Sequence, residues 1–195
     1  MLEDSFKTII KGGEGYYTEK RSKFLAFAHH VKSVDEVKEL VSHYRKKYFD
    51  ARHVCYAYMI GTERNLFRAN DDGEPGSTAG KPILGQINRN EITDVLIVVV
   101  RYFGGVKLGT GGLIVAYREA AADAIRNSEI SYKLIEEKID YTFPYIMMDK
   151  VMKVVKEMQP RILSQSYDNI CVLSLSIRKS LAGQLKAKLA KLSFE

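Results

Sequence analysis

The most constraining feature of this sequence is an apolar strand that runs into a glycine-rich segment and then into a helix. The strand is predicted over residues 95–102 because Val95 to Val100 form an uninterrupted apolar run. From Leu113 onward, apolar residues recur at helical spacing, which predicts a helix over 113–127. A strand, glycine loop and helix in this order direct backbone N–H groups and a helix N-terminus at an anion.

The residues of this candidate anion-binding segment are glycines accompanied by basic and hydroxyl side chains. They are Arg101, Gly104, Gly105, Lys107, Gly109, Thr110, Gly111, Gly112 and Arg118. The segment is not a Walker A motif, because Thr110 follows Gly109 where Lys-Ser or Lys-Thr would be needed, and it contains no G-x-G-x-x-G. The alternative interpretation is a tight strand-to-helix turn with close packing.

A second dense segment is the acidic loop at residues 71–82, DDGEPGSTAGKP. Ser77 or Thr78 is predicted to cap a helix that begins near Lys81. Three interpretations stand for the carboxylates: a solvated turn with an N-cap aspartate, a Mg²⁺ site, or ion pairs that fix the two segments together. We favour the first over the metal site, and we expect a carboxylate–arginine pair involving Arg101. The carboxylates concerned are Asp71, Asp72 and Glu74.

Positive charge is the feature that bears on partners. The net charge is +6, shared equally between residues 1–135 and 136–195, so any nucleic-acid surface must come from folding rather than from a basic tail. A basic patch is predicted from Lys23, Arg45, Lys46 and Lys47, joined by Lys20, Arg21 and Arg52. Its alternative is the favourable placement of cations at a helix C-terminus. Aromatic residues interleave with these cations and are either base-stacking groups or core: Tyr16, Tyr17, Tyr56, Tyr58, Tyr102 and Phe103.

The remaining pattern predicts an α+β protein of two domains, residues 1–133 and 134–195. Strands are expected over 22–31, 53–60, 66–69 and 130–143, with helices over 34–48 and 81–88. The second domain has the order β-α-β-β-α, which is ferredoxin-like but lacks a visible last strand. Its helices are predicted over 145–158 and 181–192, and its hairpin turns at Asp168-Asn169.

No complete catalytic set is apparent. His53 and Cys55 lie on one face of a strand, but no third orienting group is evident, so a packed thiol beside a hydrogen-bonded histidine is favoured. The two cysteines are expected to be buried and reduced, which suits a cytoplasmic protein. No segment has the pattern of a signal peptide or the length of a membrane span. We expect no cofactor and no metal.

The motifs DDGEP, TAGKPIL, VVVRYFGGVKLGTGGL and AYREAA resemble, in order and spacing, those of the IMPACT/YigZ family. Smaller matches are RSKF at 21–24 and ARHVCYAY at 51–58. The resemblance is strong over about residues 15–130 and weaker in the tail. The chain departs from the family at Gly76-Ser77, where the family usually has Ser-Gly.

The resemblance implies a fold and a direction for function. The first domain would share the α+β sandwich of ribosomal proteins and of domain four of elongation factor G, and the second would be ferredoxin-like. Eukaryotic members regulate translation, although they carry a further N-terminal domain, so that activity is not transferred here. The sequence therefore predicts a non-catalytic factor that contacts RNA, the ribosome or a protein partner and not a membrane. The alternative is an enzyme or binder that takes a phosphorylated metabolite or nucleotide at the glycine-rich segment.

Overall fold

The computed structural model describes residues 4–192, which form two compact α+β units. The first unit comprises Phe6–Lys133, and the second comprises the described residues from Leu134 onward together with Asp4 and Ser5. The predicted α+β class is confirmed. No helix within residues 4–192 is both long and apolar enough to cross a lipid bilayer.

The first unit contains the predicted helices and strands together with three strands that were not predicted, over residues 5–11, 14–19 and 92–93. Its strands are β1 (Ser5–Lys11), β2 (Glu14–Glu19), β3 (Ser22–His30), β4 (His53–Ile60), β5 (Leu66–Asn70), β6 (Ile92–Thr93), β7 (Val95–Tyr102) and β8 (Glu129–Leu134). Its helices are α1 (Val34–Lys47), α2 (Gly80–Arg89) and α3 (Gly109–Arg126).

The centre of the first unit is an antiparallel sheet in the order β2-β3-β7-β4-β5. Strand β7 lies in the middle, and every residue from Val95 to Val100 is buried. Alternate β7 side chains enter two separate apolar clusters, one shared with α1 and the other with α2 and α3. The uninterrupted apolar run in the sequence therefore reflects a strand that is covered on both faces.

A smaller sheet in the order β6-β1-β8 completes the first unit. Strand β1 lies at its centre and pairs in parallel with β6, so the beginning and the end of the unit meet there. The segment predicted as one strand over 130–143 is in fact two strands, since β8 ends at Leu134 and β9 begins at Glu136.

The second unit packs two helices against a three-stranded antiparallel sheet. It contains β9 (Glu136–Pro144), a 3-10 turn (Tyr145–Met147), α4 (Met148–Met158), β10 (Arg161–Ser166), β11 (Ile170–Arg178) and α5 (Lys179–Leu192). The sheet order is β10-β11-β9, and its apolar side chains form one core with α4 and α5. The β-α-β-β-α order is confirmed, whereas a further strand at residues 193–195 would lie outside the described residues.

Two predictions about helix starts were wrong. The N-cap position of α2 is Ala79, and neither Ser77 nor Thr78 caps the helix. The Thr78 hydroxyl donates instead to the Pro75 carbonyl at 2.6 Å. Helix α3 begins at Gly109 rather than at Leu113. The last glycines of the candidate segment therefore form the first turn of that helix and are not part of the loop.

Candidate anion-binding site

The acidic loop and the glycine-rich segment meet at a buried ion pair between Glu74 and Arg101. Arg101 Nη1 donates to Glu74 Oε1 at 2.6 Å, and the Tyr117 hydroxyl of α3 donates to the same oxygen at 2.7 Å. Only 8% of Glu74 and 5% of Arg101 are exposed. The expected carboxylate–arginine pair is confirmed, and Glu74 is the carboxylate that forms it.

Arg101 is incompletely satisfied by the protein. Its Nε is buried without an acceptor, and within residues 4–192 the guanidinium makes one hydrogen bond, from Nη1 to Glu74. The guanidinium also lies 5.5 Å from the Phe24 ring centroid and 5.6 Å from that of Phe103. Arg101 therefore keeps donor capacity beside the pocket described below.

Asp71 holds the acidic loop to the start of α2. Its Oδ1 accepts the backbone N–H groups of Ala79 at 3.0 Å and Gly80 at 2.8 Å, and its Oδ2 accepts that of Ser77 at 2.8 Å. This carboxylate thus caps the helix from outside the local sequence, satisfying N–H groups that an α-helix leaves unpaired.

Asp72 and His53 tie the same loop to strand β4. Asp72 Oδ2 accepts the Val54 N–H at 2.7 Å, and its Oδ1 accepts from Arg45 at 2.5 Å. His53 Nδ1 lies 2.7 Å from the Asp72 carbonyl oxygen, so this nitrogen carries the proton. His53 Nε2 then faces Glu74 Oε2 at 3.7 Å.

Cys55 and Tyr117 lie behind the ion pair and are kept protonated. The Cys55 Sγ is 3.0 Å from the Asp71 carbonyl oxygen and 3.4 Å from the Tyr117 hydroxyl. Burial is the main reason that the pKa of each group is raised well above its usual range, and the Glu74 charge adds to the effect. A protonated thiol is a poor nucleophile, so this cysteine is a packing residue.

A pocket of about 630 Å³ opens above the ion pair. Its lining residues are Arg52, His53, Glu74, Pro75, Arg101, Phe103, Lys107, Leu108, Gly109, Thr110 and Leu113. Arg52 and Lys107 are exposed. In the described part of the chain, neither side chain makes a hydrogen bond or an ion pair. The pocket therefore combines an apolar wall, two cations without carboxylate partners and the beginning of α3.

The start of α3 leaves its backbone open to this pocket. Among residues 4–192, no side chain caps the helix. Gly109 has a φ of +73°, a conformation that favours glycine. Gly111 needs no such conformation, and a Cβ built there has no described atom within 4 Å. The space above the first turn is thus free for an approaching group.

The front of the glycine-rich segment has a structural role instead. A Cβ on Gly104 would lie 2.2 Å from the Arg21 carbonyl carbon and 2.3 Å from the Ser22 nitrogen. The Gly104 N–H also donates to Ser22 Oγ at 3.1 Å. Gly104 therefore docks the loop against the β2–β3 hairpin, so the alternative interpretation, a tight turn with close packing, holds for this part of the segment.

Comparisons with known proteins place this geometry in a family. The model of the Impact N-terminal domain matches residues 20–125, which is more than half of the chain. The chain belongs to the IMPACT family. It is 32% identical over 155 residues to the IMPACT family member YvyE of Bacillus subtilis, covering 80% of this chain and 71% of that one. It is 31% identical over 176 residues to the IMPACT family member YigZ of Escherichia coli, covering 89% and 86%.

A solved structure is similar to this chain over nearly its whole length. A crystal structure of a hypothetical protein matches this chain with a TM-score of 0.73 and 29% identity, covering 98% of this chain and 94% of that one. The IMPACT domain match includes both the acidic loop and the glycine-rich segment. The geometry described above therefore lies within the part of the chain that the family model recognises.

The structure of this IMPACT family member separates the predicted site residues into different places. Arg101, Lys107, Gly109 and Thr110 line the pocket. Arg118 lies about 13 Å beyond Gly109 along α3, at 1.5 Å per residue, where its Nε is 3.2 Å from Glu119, so it does not line this pocket. Lys23 lies in a neighbouring hollow with Phe103.

The three basic residues at the end of α1 do not join the pocket. Arg45 pairs with Asp72, and the Lys47 Nζ lies 5.2 Å from the Tyr48 ring centroid and 5.9 Å from that of Phe27. Lys46 is exposed on the same helix turn. All three lie in the last turn of the helix, where cations suit its dipole. Arg45, Lys46 and Lys47 therefore do not line the pocket at the start of α3.

Tyr117 is the site residue that sequence reasoning missed. It lies within the apolar stripe of α3 and is fully buried, and its hydroxyl anchors Glu74. A tyrosine among alanines on a buried helix stripe predicts a buried hydrogen-bond partner, since a buried hydroxyl requires one. Within residues 4–192, no group of three or more His, Cys, Asp or Glu side chains is arranged to hold a metal ion.

Proposed function

We propose that this IMPACT family member is a non-catalytic factor that binds RNA, free or in the ribosome, through the phosphate-accepting pocket at the start of α3. The observation that carries the proposal is the uncapped helix N-terminus beside Arg52 and Lys107. Backbone N–H groups and the helix dipole favour an anion there, and the two cations supply charge. The family resemblance implies that eukaryotic members regulate translation, and this role supports a contact with RNA or the ribosome.

A binding role is favoured over catalysis because the acidic groups near the pocket already have protein partners. Asp71 caps α2, Asp72 bonds Val54 and Arg45, and Glu74 bonds Arg101 and Tyr117. A general base must reach the proton that it removes with a free lone pair. The carboxylates act here as structural anchors that shape the pocket.

The test measures binding of a fluorescein-labelled RNA oligonucleotide by fluorescence anisotropy over a series of salt concentrations. Affinity should fall steeply with salt, because phosphate contacts release counterions. Lys107→Ala should weaken binding to different sequences about equally and lower the slope of log K against log salt by about one unit. Lys11→Ala is the matched control, because Lys11 is exposed in β1 and is not a pocket residue.

The contrary result is plain. If the protein does not bind RNA even at low salt, or if Lys11→Ala and Lys107→Ala have the same effect, the pocket is not an RNA site. Cosedimentation with ribosomes, with and without nuclease, then separates an RNA contact from a protein partner. A cytoplasmic location also stays a prediction, which cell fractionation would test.

A second candidate is a binder of a small phosphorylated ligand, and the size of the pocket favours it. A volume of about 630 Å³ falls within the range of small-molecule sites, and Phe103, Leu108 and Leu113 supply an apolar wall. Such a ligand should bind saturably and raise the melting temperature with its concentration. A screen of nucleotides and sugar phosphates by thermal shift, repeated with Lys107→Ala, distinguishes this candidate from a polyanion surface.

A further inference from the structure

A hollow beside the pocket supports a more specific inference, namely whether the bound RNA is single-stranded or a duplex. It has a volume of about 470 Å³ and is lined by Tyr16, Arg21, Lys23, Leu25, Tyr102 and Phe103. Phe103 also lines the pocket at the start of α3, so the two concavities are adjacent. The hollow adds aromatic rings to the cations that surround the phosphate-accepting pocket.

The strand register places these aromatic side chains on one face of the main sheet. Tyr16 of β2 is opposite Leu25 of β3, and Lys23 of β3 is opposite Tyr102 of β7. With strands about 4.8 Å apart and a rise of about 3.4 Å per residue, the backbones of Tyr16 and Tyr102 are about 12 Å apart. This distance suits separate contacts to different bases rather than one stacked pair.

Two of the rings are presented to solvent. Phe103 is 51% exposed and Tyr16 is 49% exposed. The Arg101 guanidinium, 5.6 Å from the Phe103 centroid, helps to position that ring. Tyr102 is half-buried and fixed by a hydrogen bond from its hydroxyl to Asp50 at 2.8 Å. The Phe103 and Tyr102 rings are therefore held in place before any ligand arrives.

The rim of the hollow is a strained hairpin turn that carries positive charge. Lys20 and Arg21 form the two-residue loop between β2 and β3, with φ values of 46° and 66°. Positive φ at both positions is the geometry of a type I′ turn, which favours Asn-Gly. The contact of Gly104 with the backbone of Arg21 and Ser22 fixes this turn against the loop that bears Phe103. Backbone strain of this kind concentrates at functional sites.

We propose that the hollow formed by Tyr16, Tyr102, Phe103, Arg21 and Lys23 binds the unpaired bases of single-stranded RNA whose phosphate occupies the start of α3. The proposal rests on the proposed function, since it adds a base-binding surface to the same phosphate site. Unpaired bases stack on protein aromatic rings, whereas a duplex hides their faces. The cations at the rim complement the phosphates that join successive bases.

The experiment compares a single-stranded RNA oligonucleotide with the duplex of the same sequence, using anisotropy at fixed salt. The single strand should bind more tightly. Phe103→Leu and Tyr16→Leu should each weaken single-strand binding by about 5- to 150-fold, the range for loss of one stacked base. Neither change should alter the salt slope, because neither removes a cation. Tyr132→Leu, a change at a ring on β8 that is 62% exposed and outside the hollow, is the matched control.

A second variant tests the hairpin without endangering the fold. The double substitution Lys20→Asn with Arg21→Gly installs the residues that a type I′ turn favours and removes both cations. It should weaken RNA binding and lower the salt slope by about 0.7 for each phosphate that a cation no longer neutralises. Its melting temperature, measured in parallel, should not fall.

The outcomes separate this inference from the proposed function. If duplex and single strand bind equally and the aromatic substitutions match Tyr132→Leu, while Lys107→Ala still weakens binding, the base-binding hollow is wrong and the phosphate site stands. If no RNA binds at low salt, both are wrong. Preference for the single strand, together with weaker binding on substitution of Phe103 and Tyr16 alone, supports the inference.

Discussion

Removing the charge of Glu74 should destabilise the first unit strongly, and this prediction follows directly from the buried ion pair. Glu74→Gln keeps the size and shape of the side chain but leaves the Arg101 guanidinium, 5% exposed, without a compensating charge. Breaking a buried pair by removing one partner costs about 3–5 kcal/mol. For a domain of this size, the free-energy change corresponds to a fall in melting temperature of about 10–20 °C.

The matched control is Glu119→Gln, which removes a carboxylate from an exposed pair. The Glu119 and Arg118 side chains are 39% and 44% exposed, so breaking their 3.2 Å ion pair should cost no more than about 1 kcal/mol. Calorimetry gives the melting temperatures. Hydrogen exchange at the amides of the buried strand β7 reports specifically on the first unit, because such amides exchange only on extensive unfolding.

A double-mutant cycle sharpens the test. Arg101→Met alone should also destabilise the unit, since it leaves the Glu74 carboxylate buried with Tyr117 as its remaining close donor. The double variant should be more stable than the sum of the single effects by about 1–3 kcal/mol, because no uncompensated charge remains. If Glu74→Gln costs no more than Glu119→Gln, or if the two single effects add, the ion pair does not hold these loops together.

Four further predictions concern other residues of the first unit. Cys55 should resist a thiol reagent in the native protein and react at once after unfolding, because burial raises its pKa; rapid native labelling would contradict this. Asp71→Ala should lower the unfolding free energy by at least about 1 kcal/mol in denaturant titrations, since three backbone N–H groups lose their acceptor. Ser77→Gly should raise the melting temperature by up to about 4 °C, because Ser77 has a φ of 65°, whereas Gly76→Ala, with no described atom near its Cβ, should be tolerated. The Tyr16 N–H, and then Arg126, lower the pKa of Asp123 below 3.8. The loss of unfolding free energy caused by Asp123→Asn should therefore be constant near neutral pH and vanish as the pH falls below that value. A loss that persists in acid would refute the assignment.

Much of the fold could be predicted because the sequence pattern and the burial coincide. Strands β7 and β11 appear as apolar runs bounded by turn residues, and most of their residues are buried. The start of α2 could not be predicted from local preference, since Ser77 takes a left-handed conformation and Asp71 supplies the cap from eight residues before Ala79. A capping contact across a folded loop leaves no periodic signal.

The kinds of residue in the candidate site could be predicted from the sequence. Which of them are buried and which line the pocket could not. Charge and glycine content correctly associated Arg101 with an acidic partner, but the sequence did not indicate that Arg101 would be buried while Lys107 remained exposed. The burial of Arg101 depends on the face of β7 that it occupies and on what packs there, whereas Lys107 lies in the loop that follows the strand. Near Tyr48, Arg45 pairs with Asp72 and Lys47 lies over aromatic rings, so these cations do not line the pocket.

The order of the small sheet has a consequence for synthesis on the ribosome. Strand β1 is flanked by β6 and by β8, so its second neighbour is supplied only when residues 129–134 have emerged. Until then one edge of β1 lacks its partner, and pairing across so long a stretch of chain is slow because loop closure must come first. The first unit should therefore acquire protease resistance on stalled nascent chains abruptly, after β8 clears the exit tunnel, rather than gradually with length.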